Sequence, residues 1–191
     1  MNKREFLVTG ASIAALSVLS SGCTTSGGSS GDPAARRAAI DAEVEQALTR
    51  LYAEARGSRD LVNSAKGVLV FPSVVSAGFI VGGSHGEGAL QRGGKTVRHF
   101  TMTAASVGLL AGARTKSVFY LFMADDALKR FEASSGWTVG ADASVTVLNV
   151  GANAQVDTRN AQQPVIGFVL TNTGLMGNLS MDGTRIAPLN I

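Results

Sequence analysis

The side chains best suited to chemistry fall between residues 82 and 99. Gly82-Gly83-Ser84-His85-Gly86 fits the pattern G-x-S-x-G, in which a serine nucleophile sits on a sharp turn leading from a strand into a helix. That turn exposes the hydroxyl, and the helix behind it helps to build an oxyanion hole. Here Glu87-Gly88-Ala89 follows and continues a strand or turn pattern, and the spacing of α/β units is missing, so a hydrolase is not expected. His85, Glu87 and His99 are donors a metal ion accepts. Two histidines and one carboxylate are too few to define a centre, and the expectation is a surface polar rim with no metal. Gly94-Lys95-Thr96 ends like a phosphate loop, but the position of that motif's first glycine is Ala89, so a hairpin turn is expected. Asp125-Asp126 fits the start of a helix, with Asp125 as its cap. No catalytic constellation survives, and neither enzyme activity nor a cofactor is expected.

Charge offers a different chemistry. Arg92, Lys95, Arg98, Arg114 and Lys116 follow one another with no acidic residue between positions 92 and 116. They form either a solvated rim of hairpin ends or a contact for an anionic surface, with Lys66 as a lesser candidate. The formal net charge of +3 is too small to point to nucleic acid.

These residues must be positioned by a sheet. Lys66–Gln91 holds two β-type runs, Val68–Phe71 and Gly78–His85, which a Pro72-Ser73 turn is expected to join. Strand side chains alternate between faces, so Phe79, Val81, His85 and Glu87 share one face and Gly82, Ser84, Gly86 and Gly88 the other. A face so nearly bare marks a bend or a place where another backbone or a ligand comes very close. This stretch is read as the spine of an antiparallel sheet. Arg92-Gly93-Gly94-Lys95 is a hairpin turn, and Val97–Thr103, Val107–Ala113 and Lys116–Met123 follow as strands. A helix is expected from Asp125 to Ala133, then strand-like runs at Trp137–Val150, Ala152–Val156, Val165–Thr171 and Leu175–Met181. Asp182-Gly183 is a hairpin signal before a last strand within Thr184–Ile191.

Ahead of the sheet, Asp32-Pro33 gives a cap and a first helical residue. Ile40, Val44, Leu48, Leu51, Tyr52 and Ala55 recur at helical spacing, with Gly57 as the expected stop. The polar face carries both signs of charge, which suits docking on a sheet better than lying in a membrane interface. Ser58–Ala65 reads as a second short helix. The fold class is therefore α+β, with N-terminal amphipathic helices packed on a strongly curved, mostly antiparallel, barrel-like sheet.

The N-terminus reads as an address. Met1–Gly22 has a short basic start, an apolar stretch from Phe6 to Leu19 and small residues before Cys23, the layout of a secretory signal. Leu19-Ser20-Ser21-Gly22-Cys23 resembles the lipobox of bacterial exported proteins, in which the cysteine becomes lipidated and N-terminal. The usual Leu three places before the cysteine is Ser20 here. Thr24, where Asp would signal inner-membrane retention, favours the outer membrane. Residues 23–31 make a Gly/Ser tether, and 32–191 the folded domain. Cys23 is the one cysteine, so the domain has no internal disulfide.

The run KGVLVFPSVVSAGFIVGGSHGEGAL resembles the signature of the SYLF domain family. The likeness continues through Ala105–Gly108, Ser117–Phe131, Gly140–Val145 and Gly174–Gly183, and covers about Arg37 to Ile191. The resemblance implies a lipid-binding module. Eukaryotic relatives bind phosphoinositides or phosphatidic acid through an N-terminal amphipathic segment, and some bind actin, while bacterial relatives are mostly exported or lipid-anchored. The resulting expectation is a lipid-anchored protein of the bacterial envelope, in the outer membrane and facing the periplasm or the surface. Its domain contacts anionic phospholipid headgroups through the basic residues above. The alternative is an envelope module that holds a protein partner.

Overall fold

A computed structural model describes residues 32–78, 81–107, 112–148, 163–175 and 181–191. The expected signal peptide, Cys23 and the tether lie outside the described residues, as do the whole run expected at Ala152–Val156, the end of Trp137–Val150 from 149 on, and 176–180 of Leu175–Met181. The described part of Trp137–Val150 is not one strand, since only Trp137–Thr138 and Thr146–Val147 pair as strands. Asp32–Ile191 makes one compact unit.

The unit opens with α1, Pro33–Glu54. Asp32 caps it, its carboxylate accepting the Ala34 N–H at 3.0 Å, which satisfies one of the first-turn donors that have no partner inside the helix. Ile40, Val44, Ala47, Leu48 and Leu51 are buried along one stripe, as their spacing requires. The helix ends at Glu54, before Gly57. That glycine, at φ +87°, instead turns the chain into α2, Ser58–Ser64.

Among the described residues, nine strands form one sheet. They are β1 (Gly67–Gly78), β2 (Val81–Arg92), β3 (Lys95–Val107), β4 (Gly112–Phe122), β5 (Trp137–Thr138), β6 (Thr146–Val147), β7 (Val165–Thr171), β8 (Gly174–Leu175) and β9 (Arg185–Pro188). The order is β5-β9-β3-β2-β1-β4-β7-β6, with β8 beside β7, and only β6–β7 is parallel. β1 and β2 are central, as expected of a spine. Trp137 on β5 stands 6.0 Å from Tyr120 on β4, centroid to centroid, although four strands lie between them. The sheet therefore curls around the face they share. That inner face holds Leu69, Phe71, Phe100, Tyr120 and Phe122, and is plugged by α3 (Asp125–Ala133) through Ala127, Leu128 and Phe131. The outer face holds Val68, Val70, Phe119, Leu121 and Phe168 beneath α1 and α2.

Several expectations need correction. Pro72-Ser73 is not a turn, for β1 runs straight through it. Between Val70 and Ser73 the pairing with β2 slips by one residue, and it slips again toward β4 between Phe71 and Val74. The bulge explains how proline, which has no N–H to give a ladder, sits in a central strand. Ser117 donates its hydroxyl to the Pro72 carbonyl at 2.7 Å across the gap. The expected run Gly78–His85 is not one strand, since β1 ends at Gly78, which pairs with Gly82 of β2. Likewise Val107–Ala113 is not one strand, because β3 ends at Val107 and β4 begins at Gly112. Asp125 is the first residue of α3 rather than its cap, which is Ala124. Asp182-Gly183 does turn, with Gly183 at φ +77°, yet β9 pairs with β3 and β5.

The close approach expected at the glycine face is present. A Cβ on Gly88 would run into the Val70 carbonyl oxygen and stand 2.8 Å from Phe71 Cδ1. The bulge swings the β1 backbone over that position, leaving room for hydrogen only.

Candidate functional site

The basic residues do not form one patch. Arg92 and Lys95 face each other across the β2–β3 turn, where Gly93 and Gly94 both have positive φ. Lys66 precedes β1 at the same end, its N–H bonded to the Phe122 carbonyl at 2.8 Å. Arg98 pairs with Leu90 two residues further in and leans over the Phe100 ring at 5.7 Å. Arg92 is ion-paired with Glu132 of α3 at 2.9 Å. This end is the solvated hairpin rim.

Arg114 and Lys116 belong to the other end. Lys116 lies in the row Val74–Gly86 and Arg114 in the row Ser76–Ser84. Along β2, Arg92 and Gly86 are six residues apart, about 20 Å of strand. Directly opposed residues share a face, so both cations belong to the inner face with Val74. In the same rows Ser76 and Ser84 hydrogen-bond hydroxyl to hydroxyl at 2.8 Å. Lys116 is half-buried, and burial holds its ammonium below the usual lysine range. Among the described residues nothing pairs with it. An anion arriving there would regain what desolvation costs the charge.

On the outer face, the first turns of α1 pass over β1 and β2. Arg36 forms a forked ion pair with Glu87, its Nε donating at 3.2 Å. Beside this pair lies a groove of about 380 Å³ lined by Ala39, Ile40, Glu43, Val75, His85 and Gly86 among others. Further along, Asp41 Oδ1 accepts from Thr96 Oγ1 at 3.0 Å and lies 2.9 Å from His99 Nε2. Glu45 takes the Gln91 side-chain N–H at 2.7 Å.

These contacts place the remaining candidates. His99 is buried under α1, not on a polar rim, because a carboxylate from a helix distant in sequence covers it. His85 is exposed and Glu87 is held by Arg36, so the three donors stand apart. Among the described residues no three metal-binding side chains gather. Ser84 lies in mid-strand and His85 on the opposite face, so no nucleophile elbow forms. Gly94-Lys95-Thr96 is a hairpin. Sequence reasoning missed the Asp41–His99 and Arg36–Glu87 pairs, which carry no local signal, and the burial of Lys116. That burial follows from its place in the apolar run Lys116–Met123.

An α+β half-barrel with helices outside and one helix plugging its interior defines the class. A family model described as Ysc84, Las17-binding protein actin regulator, matches residues 103–190. This match, over a little less than half of the chain, supports the assignment to the SYLF domain family. The match begins in β3, so α1, α2, β1 and β2 precede it. No curated protein matches the chain. The apolar stripe of α1 is covered by the sheet, so in this fold it is not presented to a bilayer.

Proposed function

We propose that the protein is a bacterial envelope lipoprotein, anchored through Cys23 in the outer membrane, whose SYLF domain binds phospholipid headgroups without catalysing a reaction. Anionic headgroups are preferred. The observation that carries this reading is Lys116: a half-buried ammonium with no acceptor among the described residues, two residues from Arg114 on the same face. A lipid phosphate supplies the missing acceptor, and each basic residue near an anionic surface contributes about 1 kcal/mol. The anchor is hydrophobic, at about 0.8 kcal/mol per buried methylene, so two or three acyl chains hold durably. The family match over residues 103–190 supports a binding role.

Flotation of Asp32–Ile191 with vesicles of different headgroups tests the domain, and mass spectrometry of Cys23 from the membrane fraction tests the anchor. Binding to phosphatidylglycerol but not to phosphatidylcholine is expected. Indifference to every bilayer, or an unmodified thiol, removes the corresponding half of the proposal.

A second reading is a protein-holding envelope module, favoured by the family's description, which names a protein its members bind. The groove beside Arg36, Glu43 and Glu87 suits a peptide bearing both charges. Recovery of one envelope protein on the domain, with no vesicle binding, selects it.

A further inference from the structure

The end of the sheet beyond the β1 bulge has an unusual surface. Val81 is 70% exposed and Val75 46%, two of the three large apolar side chains that the described residues leave in water. Val81 pairs with Val107 at the end of β3, while Val75 lies between His85 and Thr115 in the outer-face row of β2, β1 and β4. The described residues feeding this end, 73–78, 81–86, 103–107 and 112–118, include no Asp or Glu; their only charged residues are Arg114 and Lys116. The remaining side chains there are mostly small, so cations and apolar groups reach the boundary together.

The chain also enters from this side. α1 begins at Pro33, and Arg36 at the end of its first turn is ion-paired to Glu87, the residue after Gly86. Eight residues lie between Cys23 and Asp32, nine steps and at most about 30 Å of extended chain. A domain tethered through that stretch has this end within reach of its anchor.

We propose that the end of the sheet bearing Val75, Val81, Arg114 and Lys116 is the surface that lies on an anionic phospholipid bilayer. The inference rests on the phospholipid-binding reading above and gives it an orientation. Valines enter the interface while the two cations stay level with the phosphates, the division that amphipathic surfaces make at a bilayer. A second copy of the chain fits poorly on the inner-face margin, since cation would face cation there. That margin, with Arg114 and Lys116 and no carboxylate among its described residues, suits a surface that is itself anionic; Glu43 and Glu87 lie on the outer face, in the groove with Val75.

The test uses the full-length protein incorporated in vesicles of phosphatidylethanolamine and phosphatidylglycerol. Lipidation blocks Cys23, so Val81→Cys or Val97→Cys adds the only free thiol, which is labelled with a polarity-sensitive fluorophore. Val97 is the control: equally apolar, 50% exposed, and ten residues along β3 from Val107, about 33 Å. The Val81 label is expected to shift to the blue and lose intensity to nitroxides on lipid chains, while the Val97 label keeps its aqueous emission. Val75→Cys repeats the measurement if Val81→Cys folds poorly. The reverse pattern, or aqueous emission at both sites, overturns the orientation and leaves phospholipid binding standing. A Val81 label shielded from both lipid-borne and soluble quenchers also overturns it, because another protein surface then covers this end. If the parent chain itself takes up label, Cys23 is unmodified and the anchor reading fails. The same label pairs on the Cys23→Ser chain, added to vesicles, then decide the orientation.

Discussion

Replacing Lys116 with methionine should make the fold more stable and the binding weaker. Methionine keeps the unbranched stem and removes an ammonium that burial disfavours and that no described acceptor neutralises. Because the head is still partly in water, the gain is discounted to about 0.5–1 kcal/mol. For a domain of this size that raises Tm by about 1–4 °C. Loss of one cation near an anionic surface should weaken vesicle affinity about fivefold, the equivalent of about 1 kcal/mol. The pH dependence has a fixed sign. With the folded-state value depressed, the unfolded chain holds the proton more tightly, so the penalty is full at neutral pH. It fades as pH rises from the folded value toward that of an ordinary lysine, and the stability gap between wild type and Lys116→Met should close over that range. Thermal unfolding and vesicle sedimentation of both proteins decide the matter. A variant that is less stable and binds as before would refute the reasoning, for Lys116 would then be a packing residue.

Gly88→Ala should cost about 3 kcal/mol in chemical denaturation, since its methyl group meets the Val70 carbonyl at the bulge. Gly83→Ala, whose Cβ would find only the Ala104 oxygen at 3.9 Å, should stay within about 0.5 kcal/mol of wild type. Asp41→Ala strips Thr96 and buried His99 of their shared partner and should cost about 1–3 kcal/mol, read as a lowered Tm. Charge reversal at Arg114 should reduce sedimentation with phosphatidylglycerol vesicles more than reversal of Lys95 and Arg98 together; equal losses would return the contact to the hairpin rim.

The sheet was legible wherever one strand carried its own signal. Val165–Thr171 is continuously apolar and has the bounds expected of it, and Gly93-Gly94 forms the turn that two adjacent glycines announce. Pro72 misled for a physical reason: proline usually interrupts pairing, and only the register on both sides reveals that a bulge absorbs it. The candidate site was legible in residue type but not in arrangement. Five cations close in sequence look like one cluster, yet β3 carries the chain from one end of the sheet to the other between Arg98 and Arg114. His99 looked like a surface donor because Asp41, far away in sequence, supplies its cover.

The slip at Pro72 also divides the protein's central strand into two regimes. Gly67–Phe71 is buried on both faces, whereas beyond the bulge exposed and covered positions alternate. Amide protons of the first half should exchange with solvent only in global unfolding, and those of the second through smaller openings. One strand thus joins a half that sets the melting point to a half whose exposed positions can be substituted at little cost to the fold.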